Sequence, residues 1–162
     1  MPEDREASHI RALAHDLLRR GVIGTAQVIE SGLVGTPIAV QAPDGLLNSW
    51  FVPITIGDLL AGFIQFLPDG TFMRFSSFQR HAGSLAGCPA AADWLDPDRI
   101  QARAKGHRQS DERSGEPFLT FDKSPDRLVW AVPMTKPGGD VRYVYVAGKI
   151  VYVASPDDTT GQ

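Results

Sequence analysis

Cysteine is all but missing: Cys88 stands alone among 162 residues, so no internal disulfide can form and no oxidised framework braces the chain. No stretch of eighteen apolar residues occurs, which excludes a membrane-spanning helix. The opening MPEDREASHIRALAHDLLRR lacks the basic-then-apolar order of a secretory leader. These absences predict a cytoplasmic protein with no membrane partner, unless a leader has been removed. Positive charge is not in excess either. Sixteen Lys and Arg face nineteen Asp and Glu, for a net charge of −3 and a pI of about 5.7, so no global field recruits nucleic acid. The densest basic stretch, Arg99 through Arg113, is interleaved with Gln, Asp and Glu and reads as a solvated helix and loop.

Reactive chemistry is equally thin. His9, His15, His81 and His107 are scattered, and the first two are six apart, so they do not share a helix face as metal ligands would. No metal or other cofactor is therefore expected. Asp44, Asp58, Asp69, Asp96, Asp126 and Asp140 nearly all stand beside Gly or Pro, where aspartate serves turns, so none is assigned as a catalytic acid. Cys88, with His81 seven residues before it, is the one nucleophile to weigh, and it reads as a small thiol in a connecting loop. GTAQVIESG and GGD lack the spacing of phosphate loops and dinucleotide fingerprints. The chain is not expected to be an enzyme.

What is present suffices for a real core: 43% of residues are apolar, 9% aromatic and 22% charged. Ile10, Leu13, Leu17 and Leu18 recur at helical spacing between Glu6 and Arg20, and Gly21 supplies a stop. Residues 22–36 are open between a short helix capped by Thr25 and a strand with a turn. From Pro37 the pattern becomes β-prone: PIAVQA, LLNSWFVPIT, LLAGFIQFL and TFMRFSSF, separated by turn signals. Asp96 and Pro97 open a helix that runs to about His107. Four more strands follow in PFLTF, RLVWAVPMT, VRYVYV and KIVYVA. The tail SPDDTTGQ has nothing to pack and reads as mobile.

Within these strands, WFVPIT at residues 50–55 returns as WAVPMT at 130–135, and Pro37 returns as Pro117, both 80 residues on. The spacing predicts an α+β fold of two pseudo-repeats, each a helix packed on a roughly four-stranded antiparallel sheet, with units at 1–82 and 83–155 and a tail at 156–162. Trp50 and Trp130 are expected as matching core anchors. Pro53 and Pro133 should mark the same bend, because proline cannot donate to a sheet ladder.

The second meander, PFLTFDKSPDRLVWAVPM followed by VRYVYVAGKIVYVA, resembles the PepSY-type module, in which a helix precedes a small antiparallel sheet; the first meander is similar in layout. The resemblance covers most of residues 5–154 as a tandem pair. It implies a binding or inhibitory role, since such modules accompany secreted proteases or membrane-linked contexts. This chain shows no protease portion.

A hairpin turning at Ala147 and Gly148 puts Tyr143 opposite Tyr152 and Tyr145 opposite Ile150, all on one face, with Val144, Val146, Val151 and Val153 on the other. In the first unit a loop at Pro68, Asp69 and Gly70 places Ile64, Phe66, Phe72 and Arg74 on the equivalent side. These second faces either pack against each other or form a partner surface, for which tyrosine suits because its ring is apolar and its hydroxyl stays wet. The expected site is therefore Tyr143, Tyr145, Tyr152, Phe66 and Phe72, taking a protein or peptide on the aromatic face or on a strand edge. One alternative is a small-ligand carrier or small enzyme with a cup lined by Trp50, Phe63, Phe66 or Trp130. Another is a symmetric homodimer through the tyrosines.

Overall fold

The computed structural model describes residues 2–81 and 83–154; the tail expected at 156–162 lies outside them. The fold is α+β. Four helices, α1 (Pro2–Arg19), α2 (Ala26–Ser31), α3 (Ala91–Leu95) and α4 (Pro97–Ala104), accompany a sheet of ten strands. The strands are β1 (Leu33–Val34), β2 (Ile38–Gln41), β3 (Leu47–Ile56), β4 (Leu59–Phe66), β5 (Phe72–Ser77), β6 (Arg113–Ser114), β7 (Phe118–Phe121), β8 (Leu128–Thr135), β9 (Val141–Ala147) and β10 (Ile150–Val153). No helix among the described residues is long and apolar enough to cross a membrane.

The chain forms two compact units. One comprises the residues up to Ala39 together with Leu47–Ala91; the other comprises Val40–Leu46 and the residues from Ala92 onward. The division expected at 82/83 falls later because residues 89–91 are tied to the first unit. Leu60 donates its amide to Pro89 O, and Ala91 donates to Asp58 O.

In the first unit the ladder runs β3-β4-β5, with β1 also paired to β3. Ile10, Ala14 and Leu18 of α1 recur every four residues and bury one stripe against Trp50, Val52, Ile54, Ile64 and Phe66. The stretch left open at 22–36 holds both a helix and a strand. Thr25 Oγ accepts from the Val28 amide at 3.3 Å, capping α2, and Val28 enters the core before β1 pairs with β3.

The second unit runs β10-β9-β8-β7, with β6 also on β8, and its α4 packs on β8 and β9. Here the expectation of purely antiparallel pairing fails at one place: Val40 of β2 pairs with Leu119 of β7 in parallel. The break between α3 and α4 is written in two residues. Pro97 has no amide to give Asp93 O, which accepts from Arg103 instead, and the Asp98 amide is taken by Asp96 Oδ1 at 3.0 Å. That leaves Trp94 O for the indole of Trp130, which donates to it at 2.8 Å.

The two WxVPxT strands share a register. Trp50, Val52 and Pro53 pair with Phe66, Ile64 and Phe63; Trp130, Val132 and Pro133 pair with Val146, Val144 and Tyr143. Each proline sits within its strand; the β3–β4 register shifts just after Pro53, between Ile54 and Thr55, whereas the β8–β9 pairing runs unshifted through Pro133, and in both units the chain on the other side is interrupted. Gly35 donates to Pro53 O and Gly115 to Pro133 O, and each glycine makes room for a proline ring: a Cβ there would lie 2.9 and 2.8 Å from the respective Cγ. Thus β1 and β2 are two pieces of one line along β3, parted around Pro53, and β6 and β7 are parted likewise around Pro133.

Candidate functional site

The last hairpin turns at Gly148 and Lys149, not at Ala147 and Gly148 as expected, because Ala147 pairs with Ile150. Gly148, at φ 61°, occupies the first central position, where a type II′ turn calls for glycine. The register is therefore Tyr145 opposite Tyr152, not Tyr143 opposite Tyr152, a shift of two residues that leaves every side chain on its expected face.

Tyr143, Tyr145 and Tyr152 do share a face, and it largely closes over itself. Tyr152 and Tyr145 meet edge to face at 5.5 Å, Tyr143 and Phe118 at 6.0 Å, and the rings pack with buried Val129 and Ala131. Tyr145 is only 7% exposed. The Tyr152 hydroxyl donates to Asp122 Oδ2 at 2.6 Å, while Arg127 stands 3.8 Å from the same oxygen. Burial first, then the hydrogen bond to the carboxylate, raises the Tyr152 pKa well above the ordinary phenol value, so the ring stays neutral and donating.

Phe66 and Phe72 are not brought to a face equivalent to the tyrosines. Phe66 is 1% exposed and lies in the α1 core with Ile64 and Trp50. Phe72 touches it edge to face at 6.3 Å and remains exposed. A register shift between Gln65 and Phe66 sends Arg74 to the opposite side from Phe72, where it donates to Gln65 Oε1 and lies 5.3 Å over the Phe63 ring. Trp50, Phe63, Phe66 and Trp130, foreseen as the lining of a cup, are all buried, and Phe63 stacks on Phe51 at 4.6 Å.

The ladders end on two edge strands of different character. β5 carries the register shift, Arg74 and two serines, the features that blunt an edge against other strands. β10 is a regular run of Ile, Val, Tyr and Val, without charge, proline or bulge. Ala154 donates its amide to Tyr143 O, which fixes the alternation: Tyr152 and Ile150 turn their backbone groups to β9, and Val151 and Val153 turn theirs outward. Ile150 is 66% and Val153 45% exposed.

Sequence reasoning missed a buried ion pair. Glu112, 3% exposed, accepts from Arg142 Nε and Nη2, both at 2.7 Å, and from the Gln109 amide at 2.8 Å; Arg142 also donates to His107 O. The guanidinium holds the Glu112 pKa down to about 2 against its burial. Its signal lay in a stretch that read as a solvated loop. Beside it opens a cleft of about 310 Å³ lined by Asp111, Arg113, Thr135, Lys136 and Pro137.

Cys88 sits half-buried in a loop, and burial raises its thiol pKa, the opposite of nucleophile activation. Among the described residues, no three His, Cys, Asp or Glu come together to hold a metal. Comparison with family models, with curated proteins and with solved structures finds no match.

Proposed function

We propose that this chain is a tandem of two PepSY-like helix-and-sheet units acting as a non-enzymatic binding module, and that it takes an extended segment of a partner protein onto the β10 edge. The observation that carries this reading is the contrast between the two edges: among the described residues, β10 offers regular outward backbone groups, at Val151 and Val153, without the charge and register shift that blunt β5. An added strand would gain main-chain hydrogen bonds there. Its side chains would lie beside Tyr152 on one face and beside Val151 and Val153 on the other, which selects apolar or aromatic residues at alternate positions. The tyrosine cluster serves as the floor that holds β10 in place: Tyr145 is buried within it, and the half-buried Tyr143 and Tyr152 contribute their rims to the partner.

The tandem reading is supported by pairs that match at a spacing of 80: Leu33 with Thr55 and Arg113 with Thr135, Gly35 with Pro53 and Gly115 with Pro133, and the two tryptophan strands. An inhibitory role is the specific form that the resemblance implies.

Panning a displayed library of random peptides against the full chain tests the edge. Enriched peptides should alternate apolar residues. Binding should vanish in Val153→Pro, which removes an outward amide and leaves the β9 ladder intact, with circular dichroism showing the fold retained. Peptides that bind Val151→Pro and Val153→Pro as well as the parent would sink the proposal.

A further inference from the structure

The geometry points to a second, independent site: the cleft beside the Glu112–Arg142 pair binds a small oxyanion, a phosphate or carboxylate group, through Arg113, Lys136 and the Thr135 hydroxyl. Pairing of β6 with β8 sets Arg113 directly opposite Thr135, so their side chains leave the sheet side by side. Lys136 follows at the first position of a closed loop, in which its amide donates to Asp140 O at 2.9 Å and its carbonyl accepts from Gly139 at 2.9 Å. The three donors therefore converge from well-fixed backbone onto a cleft of about 310 Å³, the size range of small-ligand sites.

Charge selects the class of ligand. Glu112 bonds Arg142 twice and also feels the charge of Lys136; with Arg113 and Asp111 the cluster holds three cations against two carboxylates, one positive charge in excess. Among the described residues neither Arg113 nor Lys136 makes an ion pair or side-chain hydrogen bond. A guanidinium fork, an ammonium and a hydroxyl together match an oxyanion with two or three oxygens.

The first unit shows that these charges are not required by the backbone frame. At the places 80 residues earlier, where Leu33 pairs with Thr55, stand Ser31, Leu33, Ile56 and Gly57, without a charge among them; Thr alone recurs. The places of Glu112 and Arg142 are held by Gly32 and Gly62. The cationic cleft is an addition of the second unit.

The test is a residue-resolved NMR titration of the full chain with inorganic phosphate, and separately with acetate, at constant ionic strength. Amide shifts should be confined to 111–113, 135 and 136 and should saturate. The Arg113→Gln and Lys136→Gln double variant should weaken binding by about tenfold or more, with circular dichroism showing the fold retained; Arg113 is exposed and Lys136 half-buried. Asp111→Asn should tighten it, since a repelling carboxylate is removed. Which of the two anions saturates at lower concentration identifies the group. Shifts that never saturate, that persist in the double variant, or that weaken in Asp111→Asn, as they would for a cation or zwitterion, overturn the assignment.

Discussion

Trp50 and Trp130 occupy corresponding strand positions with the same cross-strand register, yet among the described residues only one of these two indoles has a hydrogen-bond partner. Trp130 donates to Trp94 O, whereas the Trp50 Nε1 is buried without one. The difference arises in the helices. α1 is continuous from Pro2 to Arg19, so its carbonyls are used within the helix; the second unit breaks its helix at Asp96 and Pro97 and so frees a carbonyl for Trp130. Gly32 and Gly62 teach the same lesson from the other side. A Cβ at Gly32 would lie 2.4 Å from Val28 O, and one at Gly62 would lie 2.6 Å from Ser76 O. Close packing of α2 and β5 fills in the first unit the places where the second unit installs Glu112 and Arg142. At these places the first unit is apolar and tightly packed, and the second carries a charged pair.

The largest effect expected on this comparison comes from truncating either indole: Trp50→Ala and Trp130→Ala should each cost about 3–5 kcal/mol in chemical denaturation. A loss at one position and not the other would break the equivalence. Next come the glycines under the proline rings. Gly35→Ala and Gly115→Ala should each destabilise by about 1–3 kcal/mol, and adding Pro53→Ala or Pro133→Ala in turn should recover part of that loss. Strictly additive double variants would mean that ring and Cβ do not collide.

Smaller effects sharpen the contrast between the units. Tyr152→Phe should cost about 1–2 kcal/mol by leaving the buried Asp122 carboxylate without its hydroxyl donor. Trp130→Phe should cost about 1 kcal/mol more than Trp50→Phe, because only Trp130 leaves a carbonyl unmet. Equal costs would show that the helix break confers nothing. The acid response comes last. The Glu112 pKa is lowered from 4.5 to about 2, so the pair's stabilisation is present above pH 4.5 and is lost as pH falls from 4.5 towards 2. Thermal midpoints of the parent should fall more steeply across that window than those of Glu112→Gln; parallel profiles would contradict the pairing.

Much of the frame was legible in the sequence because it rests on local chemistry. Pro43-Asp44-Gly45 and Pro68-Asp69-Gly70 write the same three-residue hairpin loop, each closed by a bond from the flanking residue, Ala42 to Leu46 O and Leu67 to Thr71 O. The α1 stripe and the Asp96-Pro97 helix start were likewise readable. What could not be read depends on tertiary partners. β1 and β6 are two residues long and exist only because β3 and β8 lie beside them. The shift at Gln65 and Phe66 put Arg74 on the side opposite Phe72, and nothing local marks it. The ion pair joins residues 30 positions apart in a stretch whose composition reads as solvated.

The claim on which the functional reading stands is that β10 keeps an open edge, and residue-resolved amide hydrogen exchange of the dilute protein tests it most directly. The account predicts slow exchange at Tyr152 and Ala154, whose amides point to β9, and fast exchange at Val151 and Val153. Equal protection at all four would mean that the edge is already covered, and would contradict the account.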